Sequence, residues 1–310
     1  MSFPLNDCNI MWKKLKIAIC EPRRAMISLW MRSSKLLPDK LYLSVLFRLE
    51  MGYWINWKSP QTFSEKLQWL KLYNRKPEYT QMVDKYAVKE YVAKLIGEEY
   101  IIPTLGVWDR VEDIDFETLP NQFVLKTTHG GGGGGVVVCK DKASFDFEAA
   151  KAKLQQSMNS DIYHIFREWP YKDVKKRILA EQFIAASGRH DLPDYKLFCF
   201  NGDPKCCQVI AGRESITTID WYDRAWNHLP FHEPKNYPFS EKGHDKPNCL
   251  NEMWALASKL SQGHPFLRVD FYEIKGTIKF GELTFYPTSG MGGFEPEEWD
   301  YTLGDWIKLP

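Results

Sequence analysis

Apolar and polar positions along the chain sort into helical stripes first and into strands later. Thr62-Phe-Ser-Glu65 has the form of a capping box, and Phe63, Leu67 and Leu70 recur behind it at helical spacing. A second helix is predicted where Asp84 precedes the stripe Val88, Val92 and Ile96, with Gly97 as its stop. Residues 1–58 read as helical and irregular, broken at Pro4, Pro22 and Pro38, and 101–108 reads as a short extended run. From Asn121 the period changes. Phe123-Val-Leu-Lys-Thr-Thr128 and Val136-Val-Val-Cys139 are short β-branched runs joined by a loop, the pattern of a hairpin. A helix is predicted from Ser144 to about Met158. Strands follow at 177–184, 195–200 and 205–210, with Asn201-Gly202 the strongest hairpin signal in the chain. Segment 211–247 reads as loop, rich in proline and histidine. A helix at 251–261 and two strands at 267–272 and 277–285, turning near Lys275-Gly276, complete the series. With no internal repeat, this order is α+β.

At 310 residues the chain can hold two or three subdomains around a sizeable core. Its net charge of +1 offers no global field for nucleic acid. The seven cysteines are odd in number and form no Cys-x-x-Cys pair, which argues against a disulfide framework or zinc site and for a reducing compartment. No apolar run approaches the ~20 residues of a membrane span, and Ile17-Ala-Ile-Cys20 is too short for a signal peptide core. A cytoplasmic protein is expected. One local charge anomaly stands out: Lys13, Lys14, Lys16, Arg23, Arg24, Arg32 and Lys35 interleave with Trp12, Ile17, Ile27, Leu29, Trp30 and Met31. Such a segment either packs on the body as a helical extension, the favoured reading, or rests on an anionic membrane surface as a peripheral contact.

The hairpin carries the first candidate chemistry. Lys126 shares a strand face with Val124 and Thr128, and His129 then abuts six glycines: Gly130, Gly131, Gly132, Gly133, Gly134 and Gly135. Glycine lets backbone N–H groups approach an anion closely, and a neighbouring lysine adds a point charge for a phosphate. A flexible linker is the plain alternative, but the loop lacks serine and is flanked directly by strands. No Gly-Lys-Ser/Thr follows and the chain continues as strand, so neither a Walker nor a Rossmann loop fits. His129 either touches a phosphate or packs under the loop.

The last two strands carry the second. Arg268 and Asp270 share a face of one, and Ile278, Phe280, Glu282 and Thr284 are expected to share a face of the other. Two carboxylates on adjacent strands, with a hydroxyl two residues on, make a hard-oxygen set suited to Mg²⁺. Surface ion pairs explain the same residues equally well on the strands alone; the Gly loop upstream favours the metal. His228-x-x-x-His232 has helical metal spacing, but Pro230 opposes a helix there.

Lys126 with its Gly loop, Ala180-Glu-Gln-Phe-Ile184, Arg268-Val-Asp-Phe271, Glu282-Leu-Thr284 and Pro287-Thr-Ser-Gly-Met291 occur in the order of an ATP-grasp enzyme. The last strand pair is similar to the metal-binding strands of D-alanine–D-alanine ligase, and Val83-Asp-Lys-Tyr-Ala-Val-Lys89 resembles that family's entry helix. From Ser59 to Pro310 the chain resembles, more closely, the TupA-like ATP-grasp family of polysaccharide biosynthesis. The shared features include Thr62-Phe-Ser-Glu-Lys-Leu-Gln-Trp69, Arg167-Glu-Trp-Pro-Tyr171, Asp194–Gly202 and Glu295-Pro-Glu-Glu-Trp299.

The resemblance implies an ATP-grasp fold with a helical N-terminal extension: 1–58 as the extension, 59–120 as a helical region ahead of the fold, 121–185 as a lid, and 186–310 as the C-terminal sheet. It implies that Lys85 and Lys126 contact ATP phosphates under the Gly loop. Glu181, Gln182 and Ile184 would meet the adenine, and Asp194 the ribose. Lys196 would reach the phosphates or the substrate. Asp270, Glu282 and Thr284 would hold Mg²⁺, with Thr284 standing where the family usually has asparagine, and Arg268 would stabilise an oxyanion. The implied reaction is ATP-dependent amide formation through an acyl-phosphate. Its carboxylate would come from a glycan or nucleotide sugar bearing a uronic acid, and its amine from an amino acid or another amine. Trp169, Tyr171, Trp221, Tyr222, Trp226 and Trp299 either contact sugars or pack the core, and Arg213 and Arg224 lie in the loop segment where substrate contacts are expected. A glycan kinase, a glycosyltransferase and a non-catalytic glycan-binding protein are the competing readings.

Overall fold

The computed structural model describes residues 21–131, 134–185, 192–213, 215–234 and 237–310. Lys13, Lys14, Lys16, Trp12, Ile17, Gly132 and Gly133 lie outside that range. Helices lead: α1 (Pro22–Arg32), α2 (Asp39–Met51), α3 (Phe63–Tyr73), α4 (Glu78–Val83) and α5 (Ala87–Ile96). Strands β1 (Thr104–Trp108), β2 (Phe123–Thr127) and β3 (Val136–Cys139) follow, then α6 (Phe147–Met158), α7 (Ile162–Phe166) and β4 (Ile178–Gln182). The remainder is β5 (Asp194–Phe200), β6 (Asp203–Ala211), β7 (Thr218–Tyr222), α8 (Leu250–Ser261), β8 (Phe266–Ile274), β9 (Thr277–Thr284) and α9 (Glu298–Trp306).

Two antiparallel sheets organise these elements. The first has four strands in the order β1-β4-β2-β3, and the second five in the order β7-β6-β5-β8-β9. At the β5–β6 turn Asn201 and Gly202 both take positive φ, 51° and 84°. That backbone suits the right-handed twist of a hairpin, which is why Asn-Gly marked it. Two expectations shift. The 211–247 segment contains a strand, β7, which pairs with β6 at the sheet edge. The helix expected from Ser144 starts at Phe147, because Asp146 accepts from Ala149 N and caps it there, while 142–144 forms a 3₁₀ turn.

The largest core lies around the five-stranded sheet. Phe63 meets Phe266 edge-on at 4.9 Å, and Phe198 meets Trp221 at 4.7 Å. The predicted capping box of α3 is complete: Glu65 N donates to Thr62 Oγ1 (3.1 Å), and Thr62 N to Glu65 Oε2 (3.3 Å). Ser64 N and Oγ then tie α3 to Asp300 of α9 at 2.9 and 3.0 Å. A smaller core of Phe123, Leu125, Leu154, Ile178 and Ala180 backs the four-stranded sheet. A third gathers Tyr42, Leu43, Leu46 and Phe47 of α2 with Met291. Arg167 locks α2 in place, pairing with Asp39 at 2.8 Å and lying 4.4 Å from the Tyr42 ring. The extension thus packs on the body through α2, whereas α1 buries none of its residues. Among the described residues no helix is long and apolar enough to cross a membrane.

Candidate active site

Register assembles one wall of the site. Lys196 of β5 pairs with Asp270 of β8, which pairs with Glu282 of β9, so all three share a face. Arg268 pairs with Thr284 one step along. The expectation that Phe280 and Glu282 share a face fails. Between them the register shifts: Asp270 opposes Glu282, yet Phe271 opposes Phe280, leaving Gly281 as a bulge residue. The bulge keeps Phe280 in the core against Phe271 while turning Glu282 toward Asp270. A Cβ at Gly281 would come within 3.1 Å of Asp270 O, so glycine allows that approach.

Arg268 binds the two carboxylates together. Its Nε donates to Asp270 Oδ1 (2.7 Å), and its Nη2 to Asp270 Oδ2 and Glu282 Oε1 (2.7 Å each). Lys196 Nζ donates to Asp270 Oδ2 and stands 4.0 Å from Asp194. Burial alone would lower the Arg268 pKa, but Asp270 and Glu282 raise it above its ordinary value. Burial would raise Glu282, but Lys85 and then Arg268 outweigh it and hold the carboxyl at about 2. Glu282 keeps 38% of its side chain exposed, and its Oε2 has Lys85 at 3.8 Å.

The other wall comes from the four-stranded sheet and α5. Glu181 of β4 is buried between two ammonium groups, Lys126 at 2.5 Å and Lys89 at 2.6 Å, which hold its carboxyl below the usual range against the opposing effect of burial. Lys85 Nζ donates to Gly130 O, and its backbone N to Thr128 O (3.0 Å), so it joins the Gly loop to Glu282. Burial lowers the Lys85 pKa, with Glu282 opposing. Gly130 and Gly135 flank the buried Thr127 hydroxyl, which bonds Ser157 Oγ at 2.7 Å; a Cβ at either glycine would fall within 2.4 Å of it. Gly134 has open space and Gly131 lies near Ile162. His129 is buried under the loop, Nε2 on Ser157 O at 3.1 Å, which favours the packing reading over a phosphate contact. Gln182 is exposed and Ile184 half-buried at the end of β4.

Sequence reasoning missed Lys89 as a site residue: Lys85 lies just ahead of α5 and Lys89 in its first turn. It also missed that Arg213 Nη2 binds Asp194 Oδ2, a pairing no local pattern announces. Trp221 is fully buried, so it packs the core, and Arg224 lies 5.9 Å from the Trp254 ring. His228 and His232 do not converge: His228 bonds Asp220, and His232 faces Glu295 at 3.7 Å.

The residues fit Mg²⁺ in one specific way. Among the described residues no three His, Cys, Asp or Glu side chains cluster as a cage. A pair of abreast carboxylates with a hydroxyl is what Mg²⁺ takes when phosphates and water complete its shell. Thr284 Oγ1 lies 3.3 Å from Glu282 Oε1, within the same group.

The model of the family described as TupA-like ATPgrasp matches residues 65–308. No curated protein matches the chain. Among solved structures, an ATP-grasp RimK domain protein from Sphaerobacter thermophilus aligns at 15% identity and a TM-score of 0.39, over 74% of this chain and 69% of that one. D-alanine–D-alanine ligase from Bacillus anthracis, complexed with ATP, aligns at 15% and 0.40, over 73% and 63%. The Helicobacter pylori D-alanine–D-alanine ligase aligns at 19% and 0.40, over 79% and 69%. The chain therefore spans about two thirds of the length of each.

Proposed function

This chain belongs to the TupA-like ATP-grasp family, and from that premise we propose that it is an ATP- and Mg²⁺-dependent ligase joining a carboxylate to an amine. The carboxylate is that of a uronic acid in a capsular or exopolysaccharide glycan, and the amine that of an amino acid. One observation carries the reading: Asp270 and Glu282 stand abreast, bridged by Arg268, and Lys85 connects Glu282 to the Gly loop.

Bound Mg²⁺, held by Asp270, Glu282 and the Thr284 hydroxyl, supplies charge neutralisation at the phosphates of ATP. Lys126 and Lys85 take the phosphate oxygens. Backbone N–H groups of Gly130, Gly131, Gly134 and Gly135 would cover them and exclude water. The Glu181 carboxylate is engaged by Lys126 and Lys89, so the adenine edge is left to the backbone running from Gln182 to Ile184. Asp194, set by Arg213, receives the ribose. The substrate carboxylate takes the γ-phosphoryl group as ADP leaves. The amine nitrogen then attacks the acyl carbon, phosphate departs, and the nitrogen loses a proton. Arg268 offsets the oxyanion charge in that second step, and Lys196 orients the carboxylate.

Calorimetric titration of ATP, with and without Mg²⁺, into wild type and Glu282→Ala tests the site. Magnesium-dependent binding lost in the variant is expected. Phosphate release that requires both a uronate and an amine separates the ligase from a kinase, which needs no amine. A folded wild type that fails to bind ATP would sink both and leave a glycan-binding or transferase role.

A further inference from the structure

A third carboxylate acts on Arg268. Glu233 lies in the segment after β7 and is half-buried. Its Oε1 accepts from Gln208 Nε2 (3.1 Å) and its Oε2 from Thr288 Oγ1 (3.2 Å). Gln208 stands in the same cross-strand row as Lys196, Asp270 and Glu282. Thr288 follows β9, the strand of Glu282 and Thr284. Between β6 and β9 run β5 and β8. Phe198 of β5, the register partner of Arg268, lines the same small cavity as Glu233 and Thr288. Glu233 therefore lies over the Phe198–Arg268 pair, one step along the strands from Lys196 and Asp270. Burial lowers the Arg268 pKa; Asp270 and Glu282 raise it most, and Glu233 adds to them.

The position of Glu233 is built. Thr288 and Ser289 take left-handed backbone, φ 48° and 55°, which a β-branched residue rarely adopts. Such backbone persists only where its surroundings over-determine it, and it gathers at functional sites. Two fully buried side chains of α3 hold it here. Lys71 Nζ donates to Ser289 O (2.8 Å) and Oγ (2.9 Å), and Gln68 Nε2 donates to Ser289 O (3.0 Å) and Gly290 O (2.8 Å). The Thr288 hydroxyl is thereby aimed at Glu233. On its other side the carboxylate is fixed by Gln208, itself buried in the sheet.

Charge then selects the ligand. The two bonds that fix Glu233 come from an amide and a hydroxyl, which orient a carboxylate without neutralising it. Of the reactants proposed above, ATP and the substrate carboxylate are anions, which Glu233 repels. The amine is an ammonium ion at neutral pH, which it attracts. The cavity beside Glu233 measures about 10 Å³, room for one water-sized group, and an ammonium head is such a group.

We propose that Glu233 receives the amine substrate, pairing with its ammonium group and taking the proton that must leave before the nitrogen can attack. The identity of the ligand as the attacking amine rests on the ligase reading above. The ammonium gives one proton to the Glu233 carboxylate, and the freed lone pair forms the C–N bond at the acyl carbon beside Arg268. The C–O bond to phosphate then breaks, and the second nitrogen proton leaves with the phosphate. Glu233 is thus a catalytic residue, and Thr288 and Gln208 position it.

The test uses the full chain with Glu233→Gln, which can keep both hydrogen bonds, and Glu233→Asp, which keeps the charge. Each variant is checked for folding by its melting transition. Calorimetry with Mg·ADP present measures binding of a panel of free amino acids. Turnover with Mg·ATP and a short oligogalacturonate is then compared between the bound amino acid, an ammonium ion, and hydroxylamine, a largely neutral nucleophile that traps acyl-phosphates. Wild type should bind at least one amino acid. Glu233→Gln should weaken it by about tenfold, the loss of one charged hydrogen bond. The same variant should raise the amino acid's KM and slow its phosphate release while hydroxamate formation is kept, and Glu233→Asp should restore part of the loss. Equal amino acid affinity in wild type and Glu233→Gln, equal loss of amide and hydroxamate formation, or no amino acid bound by a wild type that binds Mg·ADP would each overturn the proposal. Glu233-dependent binding of an amino acid without phosphate release would leave the amine site standing and remove the uronate ligase reading. A wild type that binds neither Mg·ADP nor any amino acid would remove both.

Discussion

The two sheets hold their charges differently. In the five-stranded sheet, Arg268, Lys196 and Arg213 stand against Asp194, Asp270 and Glu282, and the network closes on itself. It sits on the largest core. On the other wall, Lys126 and Lys89 share the Glu181 carboxylate, Arg177 holds Asp84, Lys85 turns to Glu282 across the site, and the backing core is small. Its loop contributes backbone donors and no long side chains. One wall is thus balanced by its own residues. The other sets two ammonium groups on a single carboxylate, a local surplus of positive charge that suits an anionic ligand. On the ligase reading proposed above, the phosphates would go to the second wall and the metal to the first.

The strongest way to break this contrast is Arg268→Ala. It leaves Asp270 and Glu282 abreast without their shared cation. Removing one partner of such a buried network costs about 3–5 kcal/mol, so a large drop in the denaturant midpoint is expected together with loss of turnover. A midpoint within error of wild type would show that the wall is not held by this network. Lys126→Ala probes the other wall, where Glu181 retains Lys89. Its midpoint should change little, while ATP affinity falls by roughly 10- to 100-fold, the effect of one charged phosphate contact. If stability and affinity fall together, the second wall is as structural as the first.

Gly135→Ala separates loop chemistry from loop packing. The added Cβ would fall 2.1 Å from Thr127 Oγ1 and 2.4 Å from Ser157 Oγ, so their hydrogen bond must give way. A cost of about 1–3 kcal/mol is expected from that crowding, read as a lowered melting temperature with weaker nucleotide binding. Gly134→Ala, with nothing within 4 Å, should leave the melting temperature unchanged. Equal effects at both positions would show that the loop's glycine content acts through flexibility rather than through this one contact.

What could be read from the sequence follows the same division between local and non-local causes. The capping box at Thr62, the Asn201-Gly202 turn and the alternation that brought Lys126, Arg268 and Asp270 forward are all local, and each depends on neighbours a few residues away. The bulge at Gly281 is not local. It depends on which residue of β8 lies opposite, and period-two reading therefore placed Glu282 with Phe280. β7 was hidden because its short run sits among prolines and histidines, and only pairing with β6 makes it a strand. The ion pairs of Arg213 with Asp194 and of Lys126 with Glu181 join distant segments. Sequence spacing named most of these residues but could not say which would touch.

Two buried histidines offer the finest test of the contrast, one on each side. His264 packs between Tyr79 (5.3 Å) and Phe285 (5.7 Å) in the large core, and its Nδ1 has no hydrogen-bond partner. Burial, with Lys76 nearby, lowers its pKa to about 4. His129, under the Gly loop, is also lowered by burial. For a histidine depressed on folding, the unfolded chain binds the proton first as pH falls. Stability is therefore whole above the unfolded value near 6.5 and is lost progressively down toward the folded value near 4. At about pH 5.5, His264 should cost the fold about 1 kcal/mol relative to neutral pH. His264→Phe should remove that part of the acid slope, and His129→Gln should remove a separate part carried by the Gly-loop wall. Denaturant melts of both variants between neutral pH and about pH 5 give the two slopes. A larger slope for His264 would show that the five-stranded side buries its histidine at the greater cost; a larger slope for His129 would reverse the comparison.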